Sequence, residues 1–353
     1  MRRKIAFVVP LLSSGGAERA TALLASSIDA QRYEPVLVLQ SPGPRIYEPA
    51  PHVRVVEVGA ANTAKALLPL TRTLRAERPD LVYAILPHLS LLSAFAVRTM
   101  RSPRPKLVVS IHNNLGAELP QWSNGALLTR LTPWVYRQAD AVLAVSRGSA
   151  DEAVRDFGAP AGRVQVIPNP VDGDAIRAAA ADREPHPWLD DPALRVVVAM
   201  GRLTPQKNVP LLLEAFAIVA AADPAARLVI LGDGELRADL EARAAGLGLT
   251  EVVEFAGAQA APHGFLARAD VFASSSDYEG FPLAHLEALA LGVPVVATDC
   301  DYGPAEILEG GRLGVLAPVG DAQAFAAALA GLLADPARRA ELGAAGPPRV
   351  EEY

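Results

Sequence analysis

Residues 269–299 read ADVFASSSDYEGFPLAHLEALALGVPVVATD, and three kinds of local structure follow one another in them. ADVFASS is an apolar run of strand length, SDYEG is a polar loop, and Pro282 suits the first turn of a helix. Leu283, Leu286 and Leu289 give that helix an apolar stripe to lay on a sheet. Gly292 suits its C-terminal end, and Pro294 leads into a second apolar run, VPVVATD. Strand, helix and strand with runs apolar throughout make the unit of a parallel sheet covered on both faces. The same unit sets two carboxylates apart, Glu279 in the loop and Glu287 about a turn and a half into the helix. Paired acids serve as general acid and base, as metal ligands or as hydroxyl-binding groups. The spacing alone leaves all three open.

The same grammar runs along the whole chain. KIAFVV, EPVLVLQ, VRVVEV, DLVYAI, KLVVSIH, DAVLAV and RVQVIP recur in the first half, with helical stretches such as GGAERATALLASSI and LLPLTRTLRAER between them. LRVVVAMG, ARLVILGDG, VVEFAG, ADVFASS, VPVVATD and LGVLAP repeat the scheme in the second half. This alternation predicts an α/β protein of two doubly wound domains, and a length of 353 residues suits two. We place the first over residues 1–170 and the second over 193–353. Residues 171–192, rich in Pro, Asp and Ala, read as a linker. In such folds ligands bind beyond the C-terminal ends of the strands, so a two-domain version is expected to hold its site in a cleft.

Composition narrows the class. Hydrophobic residues make up 51% and aromatic ones only 5%, so each domain can bury a full core and disorder is excluded. A single cysteine, Cys300, allows no internal disulfide framework and reads as a packed, unreactive residue. The basic, apolar start MRRKIAFVVPLLSSGGAER superficially resembles a secretory signal, but its run is short and broken by Pro10, and it reads as a buried strand. No run approaches the ~20 apolar residues that a spanning helix needs. Residues 1–174 carry 20 Lys and Arg against 14 Asp and Glu, and the remainder 13 against 25. A basic half joined to an acidic one points to an anionic partner such as a lipid headgroup or a phosphate, or simply to differently solvated faces.

Polar residues just past a strand are the ones to weigh. Gly15 and Gly16 after KIAFVV let the backbone turn at a helix N-terminus that favours anions, although an ordinary glycine turn reads the same way. The dinucleotide fingerprint G-x-G-x-x-G is absent, which weakens a nicotinamide reading. His112 follows KLVVSI, where it can bond a substrate, act as a base or be structural. Arg202 and Lys207 flank a Thr-Pro turn after VVVAM, a good arrangement for a diphosphate or a solvated basic loop. Asp233, between glycines after ARLVIL, can meet a ribose or a base edge; capping the helix that follows is the simpler expectation.

Taken together, GGAER, PNPVD, GRLTPQKN, LGDGELR and SSSDYEGFPLAHLEALALGVPVVATDCDYGPAEI resemble the retaining nucleotide-sugar glycosyltransferases of family 4 along essentially the whole chain. The resemblance implies the GT-B fold, two Rossmann-like domains facing across a cleft. It implies that Arg202 and Lys207 hold the donor diphosphate and stabilise the leaving group, which lets such enzymes work without a metal. Glu279 would then face the donor sugar, with backbone N–H groups of Gly280, Phe281 and Leu283 nearby, and Glu287 would take the ribose hydroxyls. Gly15 and Gly16 would approach the phosphates, His112 the sugar or the acceptor, and Asp233, Gly234 and the FAGAQ loop the base. Retention in this family is explained by front-face attack, so no protein nucleophile and no cofactor beyond the nucleotide-diphosphate sugar are implied.

Two departures stand out. Asp299 and Asp301 form an Asp-x-Asp that mimics the metal motif of another glycosyltransferase fold, and a loop role is the favoured reading. The chain also ends at GPPRVEEY, where relatives continue through a helix that crosses back onto the first domain, so that helix is expected to be missing. The expected reaction is transfer of a sugar, an N-acetylhexosamine from a UDP donor, to a glycan or lipid-linked acceptor in surface polysaccharide or glycoconjugate assembly. Arg72, Arg75, Arg78, Arg98, Arg101, Arg104 and Lys106 suit peripheral association with an anionic membrane at the cytoplasmic face, and no nucleic-acid partner is expected. A nucleotide-sugar epimerase on the same fold and a non-catalytic nucleotide-sugar-binding protein are the alternatives. A dehydrogenase ranks last.

Overall fold

A computed structural model describes residues 2–353 except 14, 44, 61, 102, 183 and 184. The chain divides into two compact units, Met1–Pro170 and Val171–Tyr353. In the first, β1 (Arg3–Val9), β2 (Tyr33–Leu39), β3 (Arg54–Glu57), β4 (Leu81–Ile85), β5 (Lys106–Ile111), β6 (Ala141–Ala144) and β7 (Val164–Val166) form one sheet. Its order is β3-β2-β1-β4-β5-β6-β7, and every pair is parallel. The second unit repeats the plan with β8 (Arg195–Met200), β9 (Ala226–Leu231), β10 (Val253–Gly257), β11 (Val271–Ser274), β12 (Val295–Thr298) and β13 (Gly314–Ala317). Its order is β10-β9-β8-β11-β12-β13, again wholly parallel.

The apolar runs explain both sheets. Val36, Leu37 and Val38 in β2, and Val197 and Val198 in β8, are fully buried, because helices cover each sheet on both faces. Phe216, Phe325 and Leu329 fill the space between the second sheet and its helices, as Leu70, Leu74 and Leu89 do in the first. Strand order reverses between β1 and β4, and again between β8 and β11. At such a switch point the connections leave to opposite sides and open a crevice at the C-terminal strand ends, where ligands bind.

Two segments near the ends of the second unit show how the chain is laid out there. The segment read as a linker belongs to the second unit, and its alanine run forms a helix, Gly173–Ala179, begun by the Asp172 side chain accepting from Ala175 N–H at 2.8 Å. That helix packs against helices Pro262–Leu266 and Leu283–Ala290. The last helix, Pro336–Val350, continues through Pro347 and Pro348 and lies along Leu283–Ala290. Among the described residues no helix is long and apolar enough to cross a membrane.

Candidate active site

β8 ends at Met200, and the chain turns through Gly201–Thr204 into one tight turn, Pro205–Lys207. Leu203 anchors this loop in the core at 1% exposure. The loop after β9 clamps it by backbone: Gly201 N–H donates to Leu231 O at 3.0 Å, and Leu203 N–H to Asp233 O at 2.9 Å. Glycine is required for that fit. A Cβ on Gly232, at φ +132°, would lie 1.9 Å from Gly201 O, and one on Gly234 would lie 2.4 Å from Leu203 O. Asp233 does not cap the following helix, Arg237–Gly246, whose N-cap is Leu236 with no side-chain bond. Its exposed carboxylate instead accepts from Gly234 N–H at 2.8 Å and faces Arg237 at 3.6 Å, because the helix starts too far downstream for it to reach.

β11 is the neighbour of β8, so its loop arrives beside the first. Ser275 Oγ donates to Lys207 O at 2.9 Å, Asp277 N–H to Gln206 O at 2.9 Å, and Asn208 Nδ2 to Asp277 at 2.6 Å. Glu279, 5% exposed, accepts from Lys207 Nζ at 2.5 Å and Ser276 Oγ at 2.7 Å. Burial alone would raise its pKa, but the Lys207 ammonium and the bonds from Lys207 and Ser276 outweigh it and hold Glu279 below the usual carboxylate value. Arg202 is exposed on the same loop, and its guanidinium has no bonded partner among the described residues. A pocket lined by Gly201, Arg202, Lys207, Ser275 and Ser276 opens beside the pair. The arrangement offers one free guanidinium and one ammonium with donors to spare, over a fixed carboxylate.

The second carboxylate is held differently. Tyr278 and Asp301 pair in parallel, Glu279 N–H donates to Asp301 O at 3.0 Å, and Gly303, at φ +85°, lets the GP turn close on Gly280 and Phe281. Asp301 thus serves the loop through its backbone. Leu283 opens the helix Leu283–Ala290, and among the described residues no acceptor takes the N–H of Gly280 or Leu283. Phe281 is buried, its ring 5.2 Å from that of Tyr353. Glu287, 3% exposed, lies with Oε2 3.7 Å from His263 Nε2. His263 went unremarked in the sequence because a lone histidine in PHGFL carries no signal until the two helices are brought together. His285, wholly buried with neither ring nitrogen bonded among the described residues, is pushed by burial to about 4 and stays neutral at pH 7.

In the first unit Gly15 is the N-cap of helix Gly16–Ser27, and no side chain caps it. His112 follows β5, with Nδ1 3.1 Å from Asn169 Oδ1. Burial takes its pKa down to about 4. It shares a pocket with Leu86, Ser90, Ser110, Asn113 and Tyr136. The second unit therefore brings Arg202, Lys207 and Glu279 together and sets Glu287 with His263. Gly15, Gly16 and His112 stand at C-terminal strand ends of the first unit.

Residues 181–349 match the family model described as Glycosyl transferases group 1, and residues 14–175 match Glycosyltransferase Family 4. The lipopolysaccharide core biosynthesis glycosyltransferase LpsE of Rhizobium meliloti (strain 1021) is 33% identical over 338 residues, 94% of this chain and 89% of that protein. A GDP-mannose-dependent alpha-(1-6)-phosphatidylinositol monomannoside mannosyltransferase of Mycolicibacterium smegmatis is 33% identical over 259 residues, 70% of this chain and 65% of its own. The crystal structure of Anabaena Alr3699/HepE in complex with UDP and glucose aligns with a TM-score of 0.83 at 23% identity, covering 99% of this chain and 95% of that one, a likeness of fold.

Proposed function

The chain belongs to the group 1 glycosyl transferases of family 4, built on the GT-B fold, and on that premise we propose that it moves a sugar from a nucleotide diphosphate to a glycan or lipid-linked acceptor with retention and without a metal. The observation that carries this reading is the cluster at the β8/β11 switch point, Arg202 with no bonded partner among the described residues beside the Lys207–Glu279 pair, whose carboxylate is buried. Arg202 and Lys207 take the diphosphate and stabilise the charge that grows on it as the glycosidic bond breaks. Glu279 has its Oε1 committed to Lys207 and Ser276, which suits an acceptor of sugar hydroxyls better than a nucleophile. Glu287, with His263 behind it, takes the ribose. Such a site needs no cofactor, since the cations already meet the leaving group.

The donor is proposed as a UDP-linked N-acetylhexosamine, on the resemblance of GGAER and the DC…GP.EI pattern to enzymes that extend lipid-linked glycans. The GDP-mannose-dependent relative favours GDP-mannose as the second candidate. The test is turnover on a lipid-linked acceptor with UDP-N-acetylglucosamine, UDP-N-acetylgalactosamine, UDP-glucose and GDP-mannose, with and without EDTA. We expect one UDP-N-acetylhexosamine to give product that keeps the donor's anomeric configuration, undiminished by EDTA. Ring epimers of the intact donor without acceptor would establish the epimerase, and calorimetric binding without turnover would establish a binding protein.

The acceptor is proposed to come from an anionic membrane at the cytoplasmic face. Helices Thr63–Glu77, Pro87–Arg98 and Gly125–Gln138 pack side by side and expose Leu68, Phe95 and Leu127 beside Arg72 and Arg98. Some of the basic residues have local duties: Lys106 pairs with Asp140, Arg98 bonds Gln138, and Arg75 bonds Thr99. Arg72 and Arg101 are exposed. At about 1 kcal/mol per basic residue near an anionic surface, Arg72→Glu with Arg101→Glu should lower partition onto phosphatidylglycerol vesicles at least ~10-fold. Unchanged co-sedimentation would remove the membrane from the proposal.

A further inference from the structure

The segment Ile167-Pro168-Asn169-Pro170 closes the first unit. Ile167 N–H donates to Ala144 O at 2.9 Å, which fastens the segment to the end of β6. Prolines on both sides of Asn169 restrict the backbone before and at each ring, so the segment that presents its side chain has little backbone entropy left to lose. That side chain is 5% exposed and reaches His112 Nδ1 at 3.1 Å through its Oδ1. An amide oxygen only accepts, so the proton of this bond belongs to Nδ1 and the lone pair of the neutral ring is left on Nε2. Nε2 is itself buried and has no partner among the described residues. A buried acceptor left unpaired is costly, which makes this atom a strong place for an incoming donor.

We infer that Asn169 is a positioning residue that holds His112 as its Nδ1–H tautomer, so that Nε2 accepts a hydrogen bond from a substrate hydroxyl. The inference deepens the glycosyltransferase reading and rests on it for the identity of that hydroxyl, a sugar's or the acceptor's. It also excludes a role for His112 as a donor to the diphosphate, since an unprotonated Nε2 has nothing to give a phosphate oxygen. The opposite amide orientation would put Nδ2 of Asn169 toward Nδ1 and the proton on Nε2. The ring would then recognise an anion. One side chain in the closing segment thus decides which chemical class His112 reads.

The experiment labels the six histidines of the full chain with nitrogen-15 and records two-bond proton–nitrogen spectra at pH 7, with the His112→Gln spectrum assigning the signals. The wild type should show His112 protonated at Nδ1 and bare at Nε2. Asn169→Ala should lose that state, keep its melting temperature within a few degrees, and lose about tenfold in kcat with donor KM nearly unchanged, the mark of an interaction tightened in the transition state. A wild-type ring protonated at Nε2, a tautomer unchanged in Asn169→Ala, or a lost tautomer with undiminished kcat would each overturn the inference. If the tautomer behaves as expected while no donor turns over in the wild type, the positioning holds and the transferase reading fails.

Discussion

Lys207→Ala is expected to abolish most turnover, roughly 10³-fold, and at the same time to destabilise the second unit by about 3 kcal/mol or more. The first effect follows from the proposed role of Lys207 as a cation that meets the leaving diphosphate. The second follows from what stays behind: Glu279 is 5% exposed, and its carboxylate would be left buried without its counter-charge. The pH dependence separates the two. In the wild type the pKa of Glu279 is depressed, so its contribution to stability is full above the ordinary glutamate value of 4.5 and is lost as pH falls through the folded value. Without Lys207, burial dominates and drives the same pKa up. Relative to the wild type, whose Glu279 contributes no slope there, the variant should therefore lose stability as pH rises above 4.5, on top of the pH dependence that both proteins share through buried His112 and His285. Melting temperatures of both proteins from pH 4.5 to 8 measure this, and parallel curves would refute it. Adding Glu279→Gln should recover much of the lost stability and none of the turnover, because the neutral amide no longer needs the ammonium.

That prediction depends on a contact the sequence does not display. Both sheets were legible because a strand buried on two faces must be apolar throughout, and KIAFVV, RVVVAM and VPVV are. The order of the strands was not. Lys207 and Glu279 are 72 residues apart and touch only because β8 and β11 are neighbours at the switch point. Read along the chain they looked like servants of two different ligand groups; folded, they are one ion pair. The same cause hid His263 behind Glu287 and Asn169 behind His112, since each pairing is made across elements and leaves no periodic trace. The failure at Asp233 was local. A capping signal was expected from a short side chain before a helical pattern, but the backbone clamp on Leu203 places the helix start at Leu236, beyond its reach. Within residues 171–192 the helix Gly173–Ala179 was hidden for a related reason: alanine between prolines and aspartates reads as spacer, while the Asp172 side chain caps it.

Arg202→Ala should cost turnover about 10²- to 10³-fold and leave the melting temperature within about 1 °C of the wild type. The contrast with Lys207 is the point. Arg202 is exposed, its guanidinium has no bonded partner among the described residues, and so its removal strands no charge. A surface cation with no ion-pair partner among the described residues has little to do for stability, and its loop is already fixed by Leu203 and the glycine clamp. Arg202→Lys keeps the charge but replaces a planar fork with a point donor, so bidentate contact with a phosphate is lost and recovery should stop about tenfold short of the wild type. The measurement is kcat at saturating donor beside the dissociation constant of the nucleoside diphosphate product. Both should suffer in Arg202→Ala, because in the proposed role the guanidinium meets the diphosphate before and after the bond breaks, with kcat suffering more if the contact strengthens as charge develops. Turnover near the wild type in Arg202→Ala would show that the free guanidinium faces solvent only, and the diphosphate would then have to be held by Lys207 and backbone N–H groups alone.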